Sequence, residues 1–368
     1  MNSADVVVVG SGVVGLTAAW LLALRGAEVT VLDTAAPGSG ASHAAQGELV
    51  PPGPALVPFF RRSLELYARL AEQTGMPWDS ESIGTLILSA PRDPGDATGS
   101  APPRSVAGAE YVPGHELPAL EPAVGPCVES GWLLAEGRRI EPAAVLTALT
   151  SAGQDAGAVL RSGIGAVRLE PGVGERWVVV GAAGARFTAR QVVVAAGLGS
   201  AELLAPHGIH VPLTGVRGRV LVTEPVGPLL RRVLAEEAIG ALRSVALLAH
   251  QTRSGRLVLG GSWYPQDEAE PEDLSGRILA RARRLLPLIG HPRAVVERHG
   301  LRPTLPDRRP VVDRLAPGLF GCFGHGGEGY IAGPGTAAML ADLVAEDRDN
   351  ADGPGRQLAY RRWTAAPA

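Results

Sequence analysis

The stretch VVVVGSGVVG at residues 6–15 constrains this chain more than any other. Four consecutive valines favour an extended, buried strand, and glycines at 10, 12 and 15 interrupt it at set intervals. The next residues, LTAAWLLALRG (16–26), predict a buried helix ending at Gly26, and EVTVLD (28–33) predicts a second strand. Strand, glycine turn, helix and strand make up the unit that binds a dinucleotide. Gly10 makes the tight turn, Gly12 lets a pyrophosphate approach the backbone, and Gly15 lets the helix lie close on the strand. Asp33 ends the second strand, where a carboxylate accepts hydrogen bonds from a ribose. NAD and FAD both use this unit, so the remaining sequence has to distinguish them.

The segment 6–24 is almost apolar enough for a membrane span or signal sequence. MNSAD before it carries no basic residue, however, and the breaks at Gly10, Ser11, Gly12 and Gly15 suit a turn. The expectation is a cytoplasmic chain without a membrane span. Its 368 residues, 46% hydrophobic and 19% charged, allow more than one core. A net charge of −3 argues against a nucleic-acid partner. All 34 basic residues are arginines, which excludes a lysine Schiff base and a phosphate-loop lysine. Cys127 and Cys322 show no metal-ligand spacing, and His207 and His210 in HGIH lack a third ligand, so no metal is expected.

A second glycine cluster, GCFGHGGEGYIAGPG (321–335), places seven glycines in fifteen residues. Glycine weakens helices and strands, so something must approach this backbone closely. The expectation is that both clusters touch one bound molecule. GPGTAAMLADLVAED (333–347) predicts a helix beginning near Gly333. Further helices are predicted at 59–75, at 138–158 opening on Pro142, and at 274–290, the last with its arginines in solvent. Residues 177–200 predict a hairpin leading into a buried strand, and 253–263 an antiparallel strand. PRDPGDATGSAPPR (91–104) predicts a loop.

These motifs resemble the family of FAD-dependent amine oxidoreductases that includes D-amino acid oxidase, glycine oxidase and sarcosine oxidase. GSGASHAAQGEL (38–49) looks like its loop across the pyrophosphate and flavin. LPALEPAV (117–124) and GRRIEPAAVLTAL (137–149) look like its paired LEP and G…P…L signatures. QVVVAAGLGSAELL (191–204), VPLTGVRGRVLV (211–222), HGLRPTLPDRRPVV (299–312) and GHGGEGYIAGPGTAAMLADLV (324–344) are similar to its later motifs, in order along the whole chain. The resemblance implies an α/β protein discontinuous in sequence. A glutathione-reductase-type Rossmann FAD domain would span 1–49, 139–209 and 299–368, and an α+β substrate domain on an antiparallel sheet would span 50–138 and 210–298. It implies FAD held without a covalent bond by Gly10, Ser11, Gly12, Val14, Gly15, Asp33, Thr34, Ala41, Ser42, Gln46, Gly47, Ile164, Ala196 and Gly197. The backbone of Gly326, Gly327, Glu328, Gly329 and Tyr330 would meet the flavin's pyrimidine end, where a helix N-terminus stabilises negative charge.

The implied reaction is hydride transfer from an amine-bearing carbon to flavin N5, followed by imine hydrolysis. Arg302 in GLRP matches the carboxylate-binding arginine, with Arg308 and Arg309 as alternatives. Glu48 stands where relatives carry an apolar residue; it would hold a cationic substituent or else point to solvent. His250 and Tyr264, with Trp263, fall near the expected substrate sheet, as contacts or as packing. Two departures from glycine oxidase stand out: Gly327 replaces a second arginine, and Leu248 falls near a carboxylate-holding tyrosine. The expected substrate is a small amino acid or N-substituted glycine, with oxygen reduced to hydrogen peroxide. HQTRSGRLVLGGS (250–262) is similar to dehydrogenase relatives, which keeps a quinone or partner-protein acceptor as the alternative. A third reading is an FAD- or NAD-holding protein without amine chemistry. A homo-oligomer is left open.

Overall fold

The computed structural model describes residues 2–79, 81–92, 108–165, 167–237 and 239–363. Most of the loop predicted at 91–104 lies outside the described residues.

Two eight-stranded sheets organise the chain. The valine run forms Asn2–Val9 at the centre of the first, flanked in parallel by Arg186–Val194 and Val29–Leu32. Val159–Arg161 extends it on one side and Leu319–Phe323 on the other, both parallel. Val6 to Val9 are at most 2% exposed, as expected of a strand covered on both faces. Every residue of the helix Val13–Ala23 is buried, because it lies on the sheet and under the helices Gly329–Glu346 and Pro142–Asp155. The predicted hairpin is present as Trp177–Gly181 and Arg186–Val194.

The second sheet runs in the order Ala294–Thr304, Thr214–Pro225, Arg256–Pro265, Ser244–Gln251, Val233–Glu236, Thr85–Ser89, Ser130–Leu134 and Glu110–Pro113. All its neighbours are antiparallel except Val233–Glu236 with Thr85–Ser89. Alternation gives it two different faces. Leu221, Leu234, Leu247 and Leu259 pack under the helix Leu274–Leu285 through Leu274, Ile278, Ala282 and Leu285. Val220, Ala235 and Leu248 look the other way, into a cavity between the sheets.

Three expectations change. The helix Val57–Thr74, assigned from sequence to the substrate unit, buries Phe59, Phe60, Tyr67 and Leu70 in the core of the first sheet. Its apolar stripe did not say which core it would meet. The expected boundary at 299 falls inside Ala294–Thr304, which pairs along its length with Thr214–Pro225. Arg281 in Leu274–Leu285 does not face solvent; it is buried against Glu236, with both side chains 3% exposed. A carboxylate on a distant strand, invisible to helical periodicity, makes that burial tolerable.

The helix predicted from Gly333 begins at Gly329 and carries Pro334 inside. Proline offers no N–H to the carbonyl of Tyr330, four residues back. The Tyr67 hydroxyl donates to that carbonyl instead, at 2.8 Å. Gly335 lets the two helices approach so closely that a Cβ there would clash with the Phe59 carbonyl, and its N–H donates to Ser63 Oγ at 2.9 Å. The second glycine cluster thus serves helix packing as well as the cavity.

Candidate active site

The cavity measures about 790 Å³, within the usual range for a ligand site, and runs from the glycine turn to the second sheet. At one end Gly10 adopts a φ of +108°, and a Cβ there would clash with the Ala195 carbonyl. Gly15 is equally closed, by the carbonyl of Gly10, which is the close strand–helix approach its spacing predicted. Gly12 offers the helix no side-chain cap of its own; Ser42 Oγ accepts from Val13 N at 3.1 Å, and the helix N-terminus lies on the cavity wall. Ser11 is buried and lies off the wall, where it donates to Asp33. Asp33, Thr34, Ala41, Ser42, Gln46, Gly47, Ala196 and Gly197 all line the wall, as do Gly10, Gly12 and Val14. Ile164 does not; its backbone N–H donates to the Asp33 carbonyl at 3.2 Å while its side chain packs in the core.

Gly326, Gly327, Glu328, Gly329 and Tyr330 also line the cavity. Their amides are not equally available. Gly326 N donates to Pro303 O and Glu328 N to His325 O, each at 2.8 Å. Gly327, Gly329 and Tyr330 keep N–H groups without an acceptor among the described residues, at the start of Gly329–Glu346 where the helix dipole is positive. The Tyr330 hydroxyl donates to the carbonyls of Ser42 at 3.1 Å and Pro142 at 3.3 Å, tying three segments together.

At the other end stands Arg302. Its Nη1 donates to the carbonyls of Arg217 and Ser262, each at 3.0 Å, and its Cζ lies 4.0 Å from the Trp263 ring centroid. Nε and Nη2 make no hydrogen bond among the described residues. Desolvation lowers the guanidinium to about 10, so it stays charged at neutral pH, and the nearby Glu48 carboxylate favours that charge. Glu48 lines the cavity and is coupled electrostatically to Arg298 as well. Arg308 and Arg309 do not reach the wall; Arg308 is turned to the Gly240 carbonyl at 3.0 Å.

Two residues expected at the site are elsewhere. Tyr264 is buried in the core under Leu274–Leu285, because alternation puts it and Trp263 on opposite faces. His250 is buried behind the wall, where its Nε2 donates to the Gln46 carbonyl at 3.1 Å, and loss of solvation depresses it to about 4. It positions the Gln46–Glu48 crossing and stays neutral. Trp263, expected near the substrate sheet as a contact or as packing, lines the cavity, and so does His325, which was not singled out from sequence. His325 lies inside the quoted glycine motif, and its Nε2 meets Thr336 Oγ1 at 2.8 Å.

Residues 5–343 match the family model described as FAD dependent oxidoreductase. The chain is 26% identical over 357 residues to the glycine oxidase of Pseudomonas aeruginosa, covering 93% of this chain and 95% of that protein. The crystal structure of glycine oxidase from Geobacillus kaustophilus superposes with a TM-score of 0.83 at 22% identity, covering 98% and 99% of the two chains. The L-proline dehydrogenase of P. horikoshii gives 0.80 at 18% identity, covering 99% and 98%. At those identities the structural likenesses speak for the fold.

Proposed function

The chain belongs to the FAD-dependent oxidoreductase family, and from that premise we propose that it oxidises the C–N bond of a small amino acid or N-substituted glycine. The cavity fits the cofactor: Cβ atoms at Gly10 and Gly15 have no room, the helix N-terminus behind Gly12 lies on the cavity wall, and Asp33 follows the second strand. When bound, FAD supplies the two-electron acceptor. The open amides of Gly327, Gly329 and Tyr330 suit the flavin's electron-rich pyrimidine end.

The single observation that carries the substrate reading is the Arg302 guanidinium, held by two carbonyls through Nη1 with Nε and Nη2 left for a ligand. Such a fork binds a carboxylate bidentately and fixes the neighbouring carbon. The substrate loses two electrons and its C–H and N–H protons, and water hydrolyses the resulting imine to an oxo acid and ammonia, or an amine where the nitrogen is substituted.

Arg302→Lys tests the reading. It keeps a charge and loses the fork, so flavin content should stay unchanged while anaerobic flavin reduction by amino acids falls about tenfold to a hundredfold in kcat/KM. Flavin reduction unaffected by the substitution would refute the role. Oxygen is the proposed acceptor: substrate-dependent oxygen uptake with peroxide formation supports it, and dye reduction without uptake assigns a dehydrogenase.

A further inference from the structure

We propose that Trp263 determines which substituent the substrate carries, by positioning Arg302 and by forming the apolar wall beside it; this rests on the reading of Arg302 as the carboxylate fork. The guanidinium is enclosed on three sides. Nη1 is fixed by the Arg217 and Ser262 carbonyls, the indole stacks at 4.0 Å, and Gly218 closes the rest. A Cβ at Gly218 would overlap the guanidinium, so that position admits Arg302 only as glycine.

The same indole reaches across to the glycine motif. A Cβ at Gly327 would lie 3.1 Å from Trp263 Cη2, so the ring occupies the volume a side chain at 327 would claim. No side chain therefore enters the chamber from position 327, although His325 and Glu328 of the same loop line the cavity. Val220, Ile239 and Leu248 supply the adjoining surface. Glu48 also lines the cavity, and its carboxylate favours the charge on Arg298 and Arg302.

One fixed cationic fork next to an indole and aliphatic side chains selects a particular class of molecule. With the carboxylate on Arg302, a neutral apolar substituent on the α-carbon or nitrogen gains about fourfold in affinity for each methylene buried. A second negative charge there would lose its solvation and face the carboxylates of Glu48 and Glu328 on the same wall. The substrate class is an amino acid bearing an apolar substituent larger than hydrogen.

The test uses the holoenzyme as wild type, Trp263→Phe and Trp263→Leu. Acetate, butanoate and phenylacetate are titrated in, and binding is read from perturbation of the visible flavin band. Glycine, alanine, leucine and lysine, in D and L forms, are then added anaerobically, and limiting rate and saturation constant are separated. Wild type should bind butanoate about fifteenfold more tightly than acetate, two methylenes at about fourfold each. Trp263→Leu should reduce that gradient to about twofold and weaken acetate itself several-fold through the lost stacking on Arg302. Trp263→Phe, which keeps a ring, should retain most of both effects, and it carries the test if Trp263→Leu loses flavin. A wild type without the gradient, a Trp263→Leu variant that keeps it, or a preference for lysine over leucine would each overturn the assignment. If carboxylates bind as stated and no amino acid reduces the flavin, the proposed oxidation fails while the assignment of Trp263 stands.

Discussion

Ser11 donates both its backbone N–H and its hydroxyl to the same oxygen of Asp33, Oδ2, at 2.6 and 2.5 Å. The other oxygen, Oδ1, accepts from Ala35 N at 3.1 Å. A carboxylate has about four acceptor sites, so one is left on Oδ1 facing the cavity wall.

That remaining site suits a ribose hydroxyl. Asp33→Ala removes it and leaves Ser11 N–H without its partner, so apoprotein titrated with FAD should bind about tenfold to a hundredfold more weakly. An unchanged dissociation constant would show that Asp33 only braces the turn.

Gly15→Ala should be more severe than its one-methyl size suggests. The added carbon meets the Gly10 carbonyl, which is backbone and cannot swing away. We expect a stability loss of about 1–3 kcal/mol by urea unfolding together with loss of retained flavin. Alanine at Gly53, where a Cβ meets nothing, should be close to neutral and serves as the control.

Tyr67→Phe tests the repair at Pro334. With the hydroxyl gone, the Tyr330 carbonyl is buried without a donor, and the expected cost is about 1–3 kcal/mol. Adding Pro334→Ala restores a helical N–H, so the double variant should recover part of that loss. Strict additivity of the two substitutions would rule out the coupling.

Acidification should destabilise the protein through two buried imidazoles. His250 and His325 are both depressed from 6.5 to about 4 by desolvation. The unfolded chain therefore binds protons first as pH falls. Each histidine is neutral in both states at pH 8 and contributes a loss that grows between 6.5 and 4, reaching about 3 kcal/mol at pH 4. Urea midpoints measured from pH 7.5 to 4.5 should fall, and His250→Gln should make the decline shallower. A variant with the wild-type slope would contradict this account.

Cys322 lines the cavity, yet burial pushes its thiol up to about 12, partly offset by Thr336. A thiol so firmly protonated is a poor nucleophile. Cys127 lies in the other sheet's surroundings, with Sγ against the Arg284 carbonyl. Acid precipitation should thus release all flavin into the supernatant, and iodoacetamide should modify Cys127 before Cys322 in the native protein. Flavin remaining with the pellet would place a covalent bond in the site.

Local pattern was enough where a motif's geometry is local. The valine run, Gly10, Gly12, Gly15 and Asp33 lie within a single strand–turn–helix–strand, so their spacing carried their positions. Pro142 marked a helix start for the same reason, and the observed helix begins there. Arg302 was identified by resemblance, and it lines the cavity. Tertiary structure decided everything that depended on which face of an element met which partner. Trp263 and Tyr264 are neighbours in sequence and point to opposite faces of one sheet, a choice that alternation poses and only packing answers. His250 shares a strand with cavity-lining Leu248, yet the Gln46 carbonyl, some two hundred residues away in the chain, stands between it and the cavity. The Tyr67 hydroxyl finds a carbonyl freed by Pro334 across a helix interface. Such partners are brought together by burial of surfaces remote in sequence, and periodicity within one element holds no record of them.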